Sequence, residues 1–301
     1  MNRLAESSLG SRAHAEGVRV RMTFVLMLAC ACIAVLLAYP ALRSLMSAGR
    51  NDYYSHIFLI PFVTGYFLFA ERKRIFSDTR YCWTAGTPLI AAGLLAYAFA
   101  LWQKERLGAN DFASLSTASC ILVFWGGFVL SYGRKTFRAG LFPLLFLLFA
   151  IPIPTFLLDR FIHVLRVGST EVTQRLYDVT GTAYFREGFA YQLTGINIEV
   201  AKECSGIRST LALIISCVVA GRLFLKSGWR RLVLVIAILP ITIFKNAVRI
   251  LTLSLLAVYV DTRFISESWL HHSGGIVFYL PALGLLGGIL WWLRKGEKGS
   301  E

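Results

Sequence analysis

Charged residues in this chain fall in clusters separated by long apolar runs. Eight runs can be counted, at about 20–42, 54–70, 84–102, 112–131, 139–158, 206–223, 232–260 and 273–293. Several approach the roughly 18–20 apolar residues a helix needs to cross a bilayer core. The pattern predicts an all-α integral membrane protein of about eight transmembrane helices, with residues 1–301 as a single polytopic membrane domain. The first run follows Arg3 and Arg12 as in a signal peptide, but it is long and lacks a small-residue cleavage site before Tyr39-Pro40, so a retained first helix is expected. Ile151-Pro152-Ile153-Pro154 removes two backbone donors and should break or end the fifth helix near the outer face.

One sizeable polar stretch, 159–203, interrupts the apolar pattern. Its first part sets Phe161, Ile162, Leu165, Val172 and Leu176 among Arg160, Arg166, Glu171 and Arg175, the spacing of an amphipathic helix lying along a membrane interface. After Gly181 the period shortens to two, in Phe189–Leu193 and Ile196–Val200, and Thr194-Gly195 between them predicts a small β-hairpin. That hairpin delivers the chain to Cys204.

Composition agrees with burial in lipid: 56% hydrophobic residues, 16% charged, mean hydropathy +0.61. A formal charge of +14 would suggest nucleic acid in a soluble protein, but in a membrane protein the distribution of Lys and Arg among loops is the better guide. With the N-terminus in the cytoplasm, the inside segments carry 18 basic residues and the three short outer loops 5, while 159–203 carries five more. Both termini are therefore expected to be cytoplasmic, with 159–203 extracytoplasmic and no nucleic-acid partner. Six cysteines occur, at 30, 32, 82, 120, 204 and 217, without repeated C-x-x-C spacing, so neither a disulfide framework nor a metal site is expected. No cofactor is implied.

The candidate chemistry gathers at one depth. Cys204 lies just ahead of the sixth apolar run, where helix N–H groups favour an anion, with Ser205 as a capping residue and Gly206 permitting close approach of a substrate. It can equally be an ordinary boundary residue. Cys30, Cys32, Cys120 and Cys217 read as apolar fillers and Cys82 as a reduced cytoplasmic thiol. The seventh run contains Pro240, Lys245, Asn246 and Arg249. Arg249 is 17 residues beyond Leu232, about 26 Å along a helix, near the outer edge of the hydrocarbon. An arginine there holds a carboxylate or an oxyanion, or else snorkels to the interface. Asn246 shares its face, and Lys245 reads either as a partner or as a snorkeller. His271 and His272 precede the last run on the same side and suit acid/base work; His56, opening the second run, is a weaker candidate.

These residues in this order resemble the exosortase/archaeosortase family of membrane cysteine transpeptidases. The matching pieces are Glu203-Cys204-Ser205-Gly206-Ile207-Arg208-Ser209, Asn246-Ala247-Val248-Arg249-Ile250, and His271 with Gly275 followed by Ile276-Val277-Phe278. Asp52-Tyr53-Tyr54-Ser55-His56, Phe149-Ala150-Ile151-Pro152-Ile153-Pro154 and Arg186-Glu187-Gly188 add to the set. The resemblance implies Cys204 as nucleophile, Arg249 as catalytic arginine and His271, which keeps the spacing to Gly275, as the third catalytic residue. His272, Asn246, Glu203, Ser205, Gly206, Arg208 and His56 are then supporting or substrate-binding residues. It further implies a multi-pass protein of the bacterial cytoplasmic membrane with its active site at the extracytoplasmic face. The implied substrates are exported proteins ending in a short motif such as Pro-Glu-Pro, a transmembrane helix and a basic tail, whose new carboxyl end passes to an unknown acyl acceptor, often in bacteria that make exopolysaccharide. Two other classes remain open at this point: a transporter using the same polar groups as a pathway, and a non-catalytic membrane component of exopolysaccharide export.

Overall fold

The computed structural model describes residues 25–40, 43, 54–200, 207–266 and 269–298. They are mostly helical and fall into two compact units, residues 1–155 and 156–301.

In the first unit the helices are α1 (Val25–Pro40), α2 (Leu59–Ala70), α3 (Trp83–Trp102), α4 (Ala109–Ala139) and α5 (Leu141–Phe146). α3 and α4 form a tight helical pair. Small residues allow it: a Cβ on Gly86 would sit 2.4 Å from the Cβ of Leu130, and one on Gly126 would sit 2.7 Å from the backbone of Ile90. In lipid, where apolar burial drives little association, such close backbone approach is a main source of helix pairing. α5 runs into a 3-10 turn, Leu147–Ala150, and there the helix stops. Ile151 is extended, at φ −76 and ψ 122, as the residue before a proline must be.

The freed backbone of this break is held by the start of α4. Asn110 Nδ2 donates to the Ile153 carbonyl at 2.8 Å, Ser114 Oγ to the Pro152 carbonyl at 2.6 Å, and Asp111 Oδ1 accepts from the Thr155 amide at 2.6 Å. Tyr54, buried beside the 3-10 turn Ser55–Phe58, donates to Asn110 Oδ1 at 2.6 Å. Two stretches that looked unrelated, around Tyr54 and around Ile153, thus meet through one asparagine.

The second unit contains α6 (Thr155–Thr180), a three-stranded sheet, α7 (Ile207–Phe224), α8 (Gly228–Ile236), α9 (Ile238–Tyr259) and α10 (Trp269–Lys298). The sheet is antiparallel in the order β1 (Tyr184–Glu187), β2 (Ala190–Leu193), β3 (Ile196–Glu199), with Leu193 opposite Ile196 across the Thr194-Gly195 turn. Gly195 has φ +82, a conformation glycine adopts without steric cost. β1 is a strand beyond the two that the alternation suggested. Its inward residues, Tyr184 and Arg186, are half-buried and its outward ones, Phe185 and Glu187, exposed, so apolar and polar residues do not alternate with the strand's faces.

α6 starts four residues before the polar stretch does and packs along α9 in the same direction. Gly168 meets Ile243, Ser169 meets Asn246, and Tyr177 donates to Ser254 Oγ at 2.6 Å. The face it buries, Leu158, Ile162, Leu165, Ser169, Thr173 and Tyr177, has helical three-and-four spacing but shares only Ile162 and Leu165 with the apolar residues read from the sequence; Phe161, Val172 and Leu176 are half-buried beside it. What covers that face is largely protein.

Four described helices are long and apolar enough to cross a membrane: α3, α4, α8 with α9 (Gly228–Tyr259), and Val277–Glu297 of α10. A fifth span results if Leu141–Ala150 and Thr155–Thr180 are counted as one broken helix. Val25–Pro40, His56–Ala70 and Ser209–Phe224 are apolar but shorter. The protein is thus a multi-pass membrane protein by the length and composition of its helices.

Candidate functional site

The segment that carries Cys204 is fixed at both of its ends. Upstream, Val200 is buried, and its amide donates to the Phe189 carbonyl at 2.9 Å. Its carbonyl accepts from Arg166 Nε of α6 at 2.7 Å. The same guanidinium lies 4.1 Å from the centre of the Phe189 ring and 3.6 Å from the Glu199 carboxylate. One arginine therefore clamps the end of the sheet. The sheet itself is held on α6 by Tyr191, whose hydroxyl donates to the Thr170 carbonyl at 2.6 Å, and by Arg186, which reaches Glu171 at 2.7 Å, the Gly188 carbonyl at 3.0 Å and Gln174. The Arg186-Glu187-Gly188 piece thereby gains a structural role.

Downstream, Ile207 is buried at the start of α7, and two residues later Ser209 Oγ accepts a hydrogen bond from Lys245 Nζ of α9. Lys245 is 8% exposed. It is no snorkeller: its ammonium turns inward to a hydroxyl. Asn246, 1% exposed, donates through Nδ2 to Ser169 Oγ at 3.0 Å, while its Oδ1 is buried with no hydrogen-bond partner among the described residues. Adjacent residues of α9 thus face different neighbours, Lys245 facing α7 and Asn246 facing α6. Arg249 lies one turn beyond Lys245, half-buried, with its Nε sealed from solvent.

Contacts along α7 give the directions of its neighbouring helices. α7 and the α8–α9 arm run antiparallel, with Cys217 beside the Leu234 carbonyl and Ser209 beside Lys245. α7 and α10 run parallel, with Ser216 Oγ 3.4 Å from Tyr279 Oη and the Lys226 amide 3.0 Å from the Glu297 carboxylate. Both histidines fall in the first turn of α10, which begins at Trp269 rather than after them as the apolar run suggested. A helix can begin on polar residues ahead of its apolar stretch, and hydropathy marks the stretch alone.

Glu203, Cys204, Ser205 and Gly206 lie outside the described residues, as do the side chains of Arg208, His271 and His272. His56 is in the first unit, in the turn Ser55–Phe58, its ring 6.4 Å from that of Tyr54. Among the described residues no group of three or more His, Cys, Asp or Glu could hold a metal ion. Cys30, Cys120 and Cys217 are buried and Cys32 is exposed. Cys82 immediately precedes α3, its Sγ 3.7 Å from Thr84 Oγ1. That hydroxyl above all holds the Cys82 thiol below its ordinary value; burial opposes it, and the backbone amide of Ala85 and the charge of Arg134 add smaller lowering effects.

Arg166, Asn110 and Ser169 were not singled out from the sequence as site residues. Arg166 looked like one more charge on an amphipathic helix, and its role depends on a carbonyl 34 residues away.

Residues 46–288 match the family model described as Transmembrane exosortase (Exosortase_EpsH). The match covers the described second unit from its start to well into α10. None of the curated proteins and none of the solved structures compared with the chain matches it.

Proposed function

Because the chain belongs to the transmembrane exosortase family, we propose that it is a membrane cysteine protease and transpeptidase that cuts the C-terminal sorting signal of exported proteins. Cys204, as thiolate, attacks the carbonyl carbon of the scissile peptide bond. Negative charge collects on the carbonyl oxygen, and the Arg249 guanidinium stabilises it. His271 gives its proton to the departing amine, leaving a thioester on Cys204 and releasing the terminal helix with its basic tail. An acceptor amine or water then attacks the thioester, and the thiol is regenerated.

The observation that supports this reading is the pair of fastenings around residue 204. Val200 is tied to Arg166 and Ser209 to Lys245, and Arg249 stands one turn from that lysine. A reactive group needs such support, since a displacement of about 1 Å can cost about a hundredfold in rate. The inner membrane as location, with both termini cytoplasmic and the site on the outer face, belongs to the same proposal and rests on the loop charges. The test is coexpression with an exported reporter ending in a sorting motif, a helix and a basic tail. The wild-type enzyme should shorten the reporter, and Cys204→Ala should leave it whole; full processing by that variant would overturn the reading.

A further inference from the structure

α10 has two contrasting faces. Ala282, Leu286 and Leu293 pack into the bundle against Leu213, Leu234 and Ile238. Beside that core, bordered by Ile289 which also packs against it, runs an open groove of about 690 Å³ lined by Pro281, Gly284, Leu285, Gly288, Ile289 and Trp292. A Cβ on Gly284 or Gly288 would meet nothing within 4 Å. The groove exists because side chains are missing along one stripe of the helix.

From Pro281 to Trp292 the stripe rises eleven residues, about 16 Å, comparable to an extended acyl chain. Three residues past Trp292, on the same face, stands Lys295, exposed, with its ammonium 5.5 Å from the centre of the Trp291 ring. Arg294 is beside it, 5.6 Å from the centre of the Phe224 ring. Trp291 and Trp292 are both exposed. An apolar channel ending in indoles and cations has the outline of a lipid: tail in the groove, interface at the indoles, headgroup at the charge.

We infer that this face of α10 binds an anionic phospholipid, its acyl chain along Gly284 and Gly288 and its phosphate against Lys295. The charge at the groove's end decides among occupants. A sorting-signal helix with a basic tail would meet like charge there. A second copy packed through the same stripe in the same membrane orientation would bring two Lys295 side chains together. An anionic headgroup meets opposite charge.

The full-length protein is delipidated in a neutral detergent, and its retention of phosphatidylglycerol is compared with that of phosphatidylcholine of the same chains by native mass spectrometry. Phosphatidylglycerol should be retained about fivefold better, the preference one basic residue confers near an anionic headgroup. Lys295→Glu should abolish that preference, and Gly288→Leu should reduce retention of both lipids, with helix content unchanged by circular dichroism. Lys295→Gln is the milder variant if the reversal unfolds the protein. Equal retention of the two lipids by wild type, or full retention by Gly288→Leu, overturns the inference. So does cross-linking of two chains through Gly288→Cys, or displacement of the lipid by a basic-tailed helical peptide.

Discussion

Lys245 of α9 donates a hydrogen bond to Ser209 of α7, five residues after Cys204 and one turn before Arg249. A buried ammonium is tolerated when a polar group receives it, and the contact ties the helix bearing the arginine to the helix that follows the cysteine.

Ser209→Ala removes that acceptor and should destabilise the protein by about 1–3 kcal/mol, because a buried polar group loses its bond. Adding Lys245→Met should recover most of the loss, since an apolar replacement for a buried polar pair is often neutral. Thermal unfolding of the two single variants and the double variant in detergent measures the coupling. Additive losses would mean that the contact contributes nothing.

Arg166 should matter for geometry as well as for charge. Arg166→Met leaves the buried Val200 carbonyl without its donor, and reporter processing should slow at least tenfold while the protein still inserts. Arg166→Lys keeps the charge but cannot bond the carbonyl and cover the Phe189 ring with one planar group, so it should rescue only in part. The initial rate of reporter shortening distinguishes the three proteins.

The two histidines in the first turn of α10 should differ. His271→Gln should abolish processing, whereas His272→Gln should reduce it by less than about tenfold, given that general acid catalysis contributes about a hundredfold or more. Equal loss in both variants would remove the assignment to His271. Arg249→Lys, with a point charge in place of a fork, should also fail.

Cys82 should alkylate at lower pH than an ordinary thiol. Its thiolate is favoured by Thr84, so the rate should rise with pH through a midpoint below that of an ordinary thiol and fall as the pH drops through that midpoint. Thr84→Ala should move the midpoint upward. Measured on a protein with serine at its other cysteines, a midpoint unchanged by Thr84→Ala would show that the hydroxyl does not act on the sulfur. Retaining Cys82 and Cys204 together gives a topology test: an impermeant maleimide on spheroplasts should reach Cys204 and spare Cys82.

The solvent and the kind of fold follow from the order of residues alone. Long runs without charge must lie in lipid, because the cost of exposing them to water scales with their area, and in lipid only helices satisfy the backbone within one segment. That order also determined that Ile151-Pro152-Ile153-Pro154 ends a helix, since a proline ring is a local constraint. The ordered pieces around Cys204, Arg249 and His271 were legible for the same reason, as each is a short run of residues.

Tertiary structure decided what depends on partners far along the chain. Whether Lys245 turned outward or inward rested on Ser209, 36 residues away. That Arg166 holds the approach to Cys204, or that Asn110 joins Tyr54 to Ile153, has no periodic signature, because a hydrogen bond depends on positions and angles that only packing supplies. The direction of α6 along α9 was hidden likewise: an amphipathic stripe states that one face is covered and leaves open whether lipid or another helix covers it.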